Sequence, residues 1–156
     1  MELRSEMNSK PLTILLAEDD ENDLYLLKRA LQKIGIPHSV HICRDGEEAT
    51  NYLQGSGTYS DRGQFPFPSI IITDLKMPRK SGFEILRWLN DHPECHVIPV
   101  IVLSASNEPQ DIKEAYRAGA NCYLMKPSKF DDLQKILRVT FEFWSLCERP
   151  EIPTQG

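Results

Sequence analysis

The chain has 156 residues, 40% of them apolar and 26% charged, with a net charge of −5. That suits one domain with a buried core and opposes a nucleic-acid-binding surface, since no Lys/Arg cluster offsets the deficit. No apolar stretch approaches the roughly 18 residues of a membrane helix, and the opening MELRSEMNSKP lacks the apolar centre of a signal peptide.

Residues 1–11 are polar and read as a flexible tail. LTILLA (12–17) is a short, almost wholly apolar run, the pattern of a parallel strand covered on both faces. Five of the next six residues are acids: Glu18, Asp19, Asp20, Glu21 and, past Asn22, Asp23. They form either a solvated loop feeding a helix or a seat for something positive. In residues 22–35, Leu24, Leu27, Ala30, Leu31 and Ile34 share one helical face, with Gly35 as the stop. SVHIC (39–43) alternates like an edge strand, and DGEEATNYLQG (45–55) supplies a short helix. Residues 55–68, GSGTYSDRGQFPFP, form a long Gly/Pro/polar loop whose role the sequence leaves open.

SIIIT (69–73) is a buried strand ending at Asp74. SGFEILRWLND (81–91) opens on Ser81 with Glu84 three residues on, a capping-box spacing. HPECH (92–96) offers histidines and a cysteine around a proline, a weak zinc pattern. VIPVIVL (97–103) is the fourth strand, with Pro99 belonging near its start. Residues 108–119 form a helix with Pro109 in its first turn, and CYLM (122–125) is the fifth strand. The last helix, 128–147, takes Ser128 as its N-cap. Phe130, Leu133, Leu137, Phe141 and Trp144 form its core stripe, yet Phe143 and Leu146 make its last turns apolar almost all round. A helix apolar all round is buried, so Phe141, Phe143, Trp144 and Leu146 are expected at an interface with a partner. Residues 149–156 read as a second flexible tail, leaving 12–148 as the globular unit. Cys43, Cys95, Cys122 and Cys147 are scattered and are expected as reduced packing thiols in a cytoplasmic protein.

Strands alternating with helices predict an α/β doubly wound, five-stranded parallel sheet with five helices. Ligands of such sheets bind beyond the carboxyl ends of the strands. Those ends deliver Glu18, Asp19, Asp74, Ser104 and Lys126. Two carboxylates ~4 Å apart repel by about 4 kcal/mol at an effective dielectric of 20, a cost that a hard divalent cation such as Mg2+ removes. The first loop holds acids and no glycine, so it suits a cation rather than a phosphate. Asp74 is then the natural phosphoryl acceptor and Lys126 its counter-charge. Asp20, Glu21 and Asp23 read as favourable charges at a helix N-terminus, and plain core is the lesser alternative for Tyr123.

The stretches ILLAEDD, IIITDLKMPRKSGFEIL, VIVLSAS and AGANCYLMKPS resemble the receiver domains of bacterial two-component response regulators over residues 12–140. The resemblance implies a flavodoxin-like strand order of 2-1-3-4-5. It implies that Asp74 takes a phosphoryl group from a phosphohistidine on a sensor histidine kinase. Asp19, Asp74 and the Lys76 backbone carbonyl would ligate Mg2+, with Glu18 acting through water. Lys126 would pair with the phosphoryl oxygens through a cis Lys126–Pro127 bond, while Ser104 turns inward and Tyr123 rotates to a buried position. Pro78 and Gly82 fit the tight turn after the acceptor. Such a protein is a phosphoacceptor rather than an enzyme in the ordinary sense, and this chain reads as a stand-alone receiver. The loop at 55–68 and the EFWSLCE tail look like the small response regulators paired with bacterial phytochromes, many of which form homodimers through that end.

Two alternatives stand beside it. A haloacid-dehalogenase-type phosphohydrolase also forms an aspartyl phosphate but needs an acid two residues after the nucleophile, where this chain has Lys76. A degenerate receiver would act as a scaffold without phosphorylation, against which the intact set Glu18, Asp19, Asp74, Ser104 and Lys126 argues.

Overall fold

A computed structural model describes residues 12–35, 39–77 and 79–151. The expected tails therefore lie outside it except for 149–151, as does Pro78. Five parallel strands, β1 (Thr13–Ala17), β2 (Ser39–Cys43), β3 (Ile70–Thr73), β4 (Val100–Ser104) and β5 (Cys122–Met125), lie in the order β2-β1-β3-β4-β5. Five helices connect and follow them: α1 (Glu21–Ile34), α2 (Gly46–Gln54), α3 (Gly82–Asn90), α4 (Pro109–Arg117) and α5 (Phe130–Leu146). Among the described residues no helix is long and apolar enough to cross a membrane.

The two-residue period of the strands sorts their side chains onto two faces. Leu15, Ala17, Ile71, Val100 and Val102 join α2, α3 and Ala115 of α4 in one buried cluster. Ile14, Leu16, Ile70, Ile72, Ile101 and Leu103 join α1 and α5 in the other. Both faces are covered, which is why the central strands are almost wholly Ile, Leu and Val. Register aligns Ala17 with Cys43 and Thr73, so β1 and β3 end side by side.

Several local expectations need correction. The fourth strand begins at Val100 rather than Val97, because residues 92–98 fold into turns closed by Cys95 N–H to the His92 carbonyl and Ile98 N–H to the Cys95 carbonyl. Helix α5 is capped at Lys129, not Ser128, and has no side-chain cap bond. Ser81 does occupy the N-cap of α3, but its hydroxyl makes no cap bond; its carbonyl accepts from Glu84 N–H instead. Phe141 is fully buried within the chain, packed among the α1 and sheet residues of the second cluster, so it is a core residue and not an interface one. Trp144 packs partly on that same cluster, whereas Phe143 is 60% and Leu146 41% exposed.

The loop 55–68 folds back onto α2 around a 3-10 turn at Gly57–Ser60. Arg62 donates to the carbonyls of Tyr52 (2.8 Å) and Leu53 (2.7 Å) in the last turn of α2, while its guanidinium sits 3.9 Å from the Phe67 ring centroid. Tyr52, Tyr59 and Phe65 pack ring on ring, and the Tyr52 hydroxyl donates to the Pro66 carbonyl.

Candidate functional site

The carboxyl ends of β1, β3, β4 and β5 bring Glu18, Asp19, Asp74, Ser104 and Lys126 to one edge of the sheet. Glu18 leaves β1 with its N–H donated to the Cys43 carbonyl, and Asp74 leaves β3 with its N–H donated to the Ala17 carbonyl. One oxygen each from Glu18, Asp19 and Asp74 lies within 4.8 Å of the others. Lys126, whose N–H donates to the Ser104 carbonyl, projects its ammonium among the acids. Its Nζ lies 2.8 Å from Asp74 Oδ2, 3.1 and 3.2 Å from the two Glu18 oxygens, and 2.7 Å from Asp23 Oδ2. The other Asp74 oxygen accepts the N–H of Leu75 at 2.7 Å.

Charge does not balance here. One ammonium meets three carboxylates, with Asp19 beside them, and the Glu18 side chain is only 2% exposed. Burial pushes Glu18 up to about 7, although the Lys126 charge pulls the other way. Burial also acts to deprotonate Lys126, but its bonds to Asp23 and Asp74 outweigh that and hold it as the ammonium. A cluster of hard oxygen donors with surplus negative charge fits a divalent cation such as Mg2+.

Asp23 is the residue that sequence reasoning missed. It reads as a helix N-terminal charge, and its backbone N–H is indeed capped by Asp20, yet its side chain reaches across to the Lys126 ammonium just past β5. The Lys126–Pro127 bond also differs from expectation. No cis peptide occurs among the described residues, and Lys126 meets Asp74 through a trans bond, the lower-energy form.

Ser104 is buried, and its Oγ accepts the Ser106 N–H at 3.1 Å. Tyr123 is half-buried, and its hydroxyl donates to the Ser106 carbonyl at 2.8 Å, so both hold the β4–α4 loop. The Lys76 ammonium is exposed and lies 3.7 Å from Asp111. Asp74, Lys76, Ser104 and Ser106 line an open cavity of about 390 Å3 above the site.

The segment after Asp74 is pinned from both ends. Gly82 donates its N–H to the Leu75 carbonyl at 3.0 Å and lies so close to the strand that a Cβ there would meet the Asp74 carbonyl oxygen at 2.3 Å. Arg79, in the left-handed region at φ 61°, donates Nε to the buried Asp45 at 2.7 Å. Asp45 also caps α2 through Glu48 N–H, and these partners outweigh its burial, holding it below the usual carboxylate range. HPECH gathers no ligands: among the described residues the acidic group is the cluster with metal-ligand spacing, and His92 stacks on Trp88.

A 2-1-3-4-5 parallel sheet with acids and a lysine at its carboxyl edge defines a receiver-type α/β domain. The sequence matches the response regulator receiver domain over residues 14–138, and the chain belongs to that family. It is 36% identical over 140 residues to the response regulator Rcp1 of Synechocystis sp. (strain ATCC 27184 / PCC 6803 / Kazusa), covering 90% of this chain and 93% of that one. The phosphorylated cyanobacterial phytochrome response regulator RcpA superposes with a TM-score of 0.83 at 36% identity, covering 91% of this chain and 100% of that one. Response regulator RPA3017, in red light signalling of R. palustris, gives 0.85 at 34% identity, with coverage of 91% and 99%.

Proposed function

We propose that this protein is a phosphoacceptor that takes a phosphoryl group on Asp74 from a sensor histidine kinase of phytochrome type and signals by protein contact. The observation that carries the reading is the Lys126 ammonium 2.8 Å from Asp74 within a three-carboxylate group. Asp19, Asp74 and the Lys76 carbonyl would hold Mg2+, with Glu18 acting through water. When bound, the ion supplies positive charge to the phosphoryl oxygens. The chain's own residues do the rest. The Asp74 oxygen not fixed by Leu75 N–H attacks phosphorus, the phosphohistidine bond breaks, and Lys126 donates to the incoming phosphoryl oxygens. Ser104 then turns toward the phosphoryl group and gives up its bond from Ser106 N–H. The Tyr123 hydroxyl, tied to the same loop, moves with it. Similarity to the phytochrome response regulator RcpA supports the phytochrome partner, and similarity to RPA3017 supports a role in red light signalling. The phosphohydrolase alternative finds Lys76 where it needs an acid.

Intact mass after incubation with Mg2+ and acetyl phosphate should rise by one phosphoryl group. Asp74→Asn, or addition of a chelator, should leave the mass unchanged. A phosphoryl group retained by Asp74→Asn would defeat the assignment.

Val139, Phe143 and Leu146, exposed on α5, support a homodimer through that helix. Phe143→Glu places a charge in the patch at a side chain 60% exposed, whose ring contact is with Trp144. It should shift size-exclusion elution from dimer to monomer at micromolar concentration. A native protein that elutes as a monomer at every concentration would remove the dimer from the proposal.

A further inference from the structure

An ammonium has three N–H donors, and in this structure three carboxylates take them: Glu18, Asp74 and Asp23. Their chemistry is not equivalent. Glu18 and Asp74 belong to the oxygen group that fits a divalent cation; Asp23 does not. Asp23 makes the shortest of the contacts, 2.7 Å, and comes from a different layer, the first turn of α1, while Lys126 follows β5. Both residues line one cleft between α1 and the start of α5, with Leu26, Leu27, Leu103 and Leu133.

From this geometry we infer that Asp23 is a positioning residue for Lys126, tethering its ammonium to α1 so that it stays aimed at the acceptor when a cation draws Glu18 and Asp74 away. The inference rests on the phosphoacceptor reading and deepens it. A lysine side chain is long and flexible, and left with only labile partners it samples many rotamers. Once the two metal-side carboxylates turn to the cation, their bonds to the ammonium weaken, and Asp23 is the remaining anchor. One donor held by Asp23 fixes the direction of the others, one of which must meet the transferred phosphoryl group. The side chain of Asp23 is 39% exposed, so its effect lies in orientation more than in field strength.

The test compares Asp23→Ala, Asp23→Asn and, as a first-turn control that does not touch Lys126, Glu21→Ala. With acetyl phosphate and Mg2+, Asp23→Ala should gain its phosphoryl group roughly three- to tenfold more slowly, the range set by one immobilised side chain. Asp23→Asn keeps an acceptor oxygen and should recover to within about twofold of native, and Glu21→Ala should match native. Mg2+ affinity by calorimetry, without a phosphodonor, should stay within about twofold in every variant. Nitrogen-15 spectra of lysine-labelled protein give a readout independent of phosphorylation. With Mg2+ present, the Lys126 ammonium should give a slowly exchanging signal in native and Asp23→Asn protein and lose it in Asp23→Ala. A signal unaffected by Asp23→Ala overturns the tether, as does a native phosphorylation rate in that variant. Equal slowing in the Asn and Ala variants means that charge, not a hydrogen bond, is at work, and also overturns it. A large drop in Mg2+ affinity makes Asp23 a ligand and does the same. If native protein gains no phosphoryl group, the functional reading falls, and the ammonium signal still decides the tether.

Discussion

Lys126→Met should cost about 3 to 5 kcal/mol of unfolding free energy in metal-free protein at pH 8, the range for removing one partner of a buried ion pair. Its ammonium is 13% exposed and serves three carboxylates, of which Glu18 and Asp74 are themselves nearly buried. Methionine fills most of the volume, so the loss is electrostatic rather than a cavity. The pH dependence follows from Glu18. Its ordinary value of 4.5 rises to about 7 on folding, because burial outweighs the attraction of Lys126. A raised folded value means that folding takes up a proton. This carboxyl's contribution is therefore complete below pH 4.5 and is lost as pH rises through 7. Without Lys126 the folded value climbs further and the loss deepens. Native and variant should then differ least near pH 5 and most near pH 8 in urea titrations. Mg2+ added at pH 8 should restore part of the difference by binding the folded state alone. A penalty that stays flat with pH would show that the acids are better hydrated than their burial indicates.

Gly82→Ala should be nearly as damaging, at about 3 kcal/mol, the upper part of the range for overpacking a filled site. The added methyl would meet the Asp74 carbonyl oxygen at 2.3 Å and the Leu75 Cα at 3.1 Å, both backbone atoms with no rotamer to escape into. Either α3 lifts off or the acceptor strand shifts, so phosphoryl uptake should fall with stability. Gly57→Ala is the contrast. That glycine has φ 55° with nothing within 4 Å, so alanine there meets only backbone strain, roughly 1 kcal/mol. Chemical unfolding of the two variants separates the effects. Equal penalties would mean that the close approach of α3 to the Asp74 loop is not needed.

The strands and the strand-end residues were readable because a doubly covered parallel strand is a nearly continuous apolar run, and its first polar residue marks the edge where ligands bind. Glu18, Asp19, Asp74, Ser104 and Lys126 all follow from that rule together with the family resemblance. Asp23 did not, because charge at a helix N-terminus already accounted for it and its partner lies 103 residues away. Phe141 was misassigned because a helical wheel gives angle but not where the helix leaves the core. The late start of β4 was not legible because Val97 and Ile98 are apolar like a strand, although main-chain bonds close that stretch into turns. The role of the 55–68 loop stays open in the sequence, since nothing local shows that Arg62 seeks carbonyls 9 and 10 residues behind it.

That arginine makes the excursion after α2 a fitted plug instead of slack. Its tip, around Gly57, has open space beside it. Its return limb, from Arg62 to Phe67, stoppers a helix end and helps to cover the buried Tyr52 ring. A relative trimmed there would have to invent another way to finish that helix.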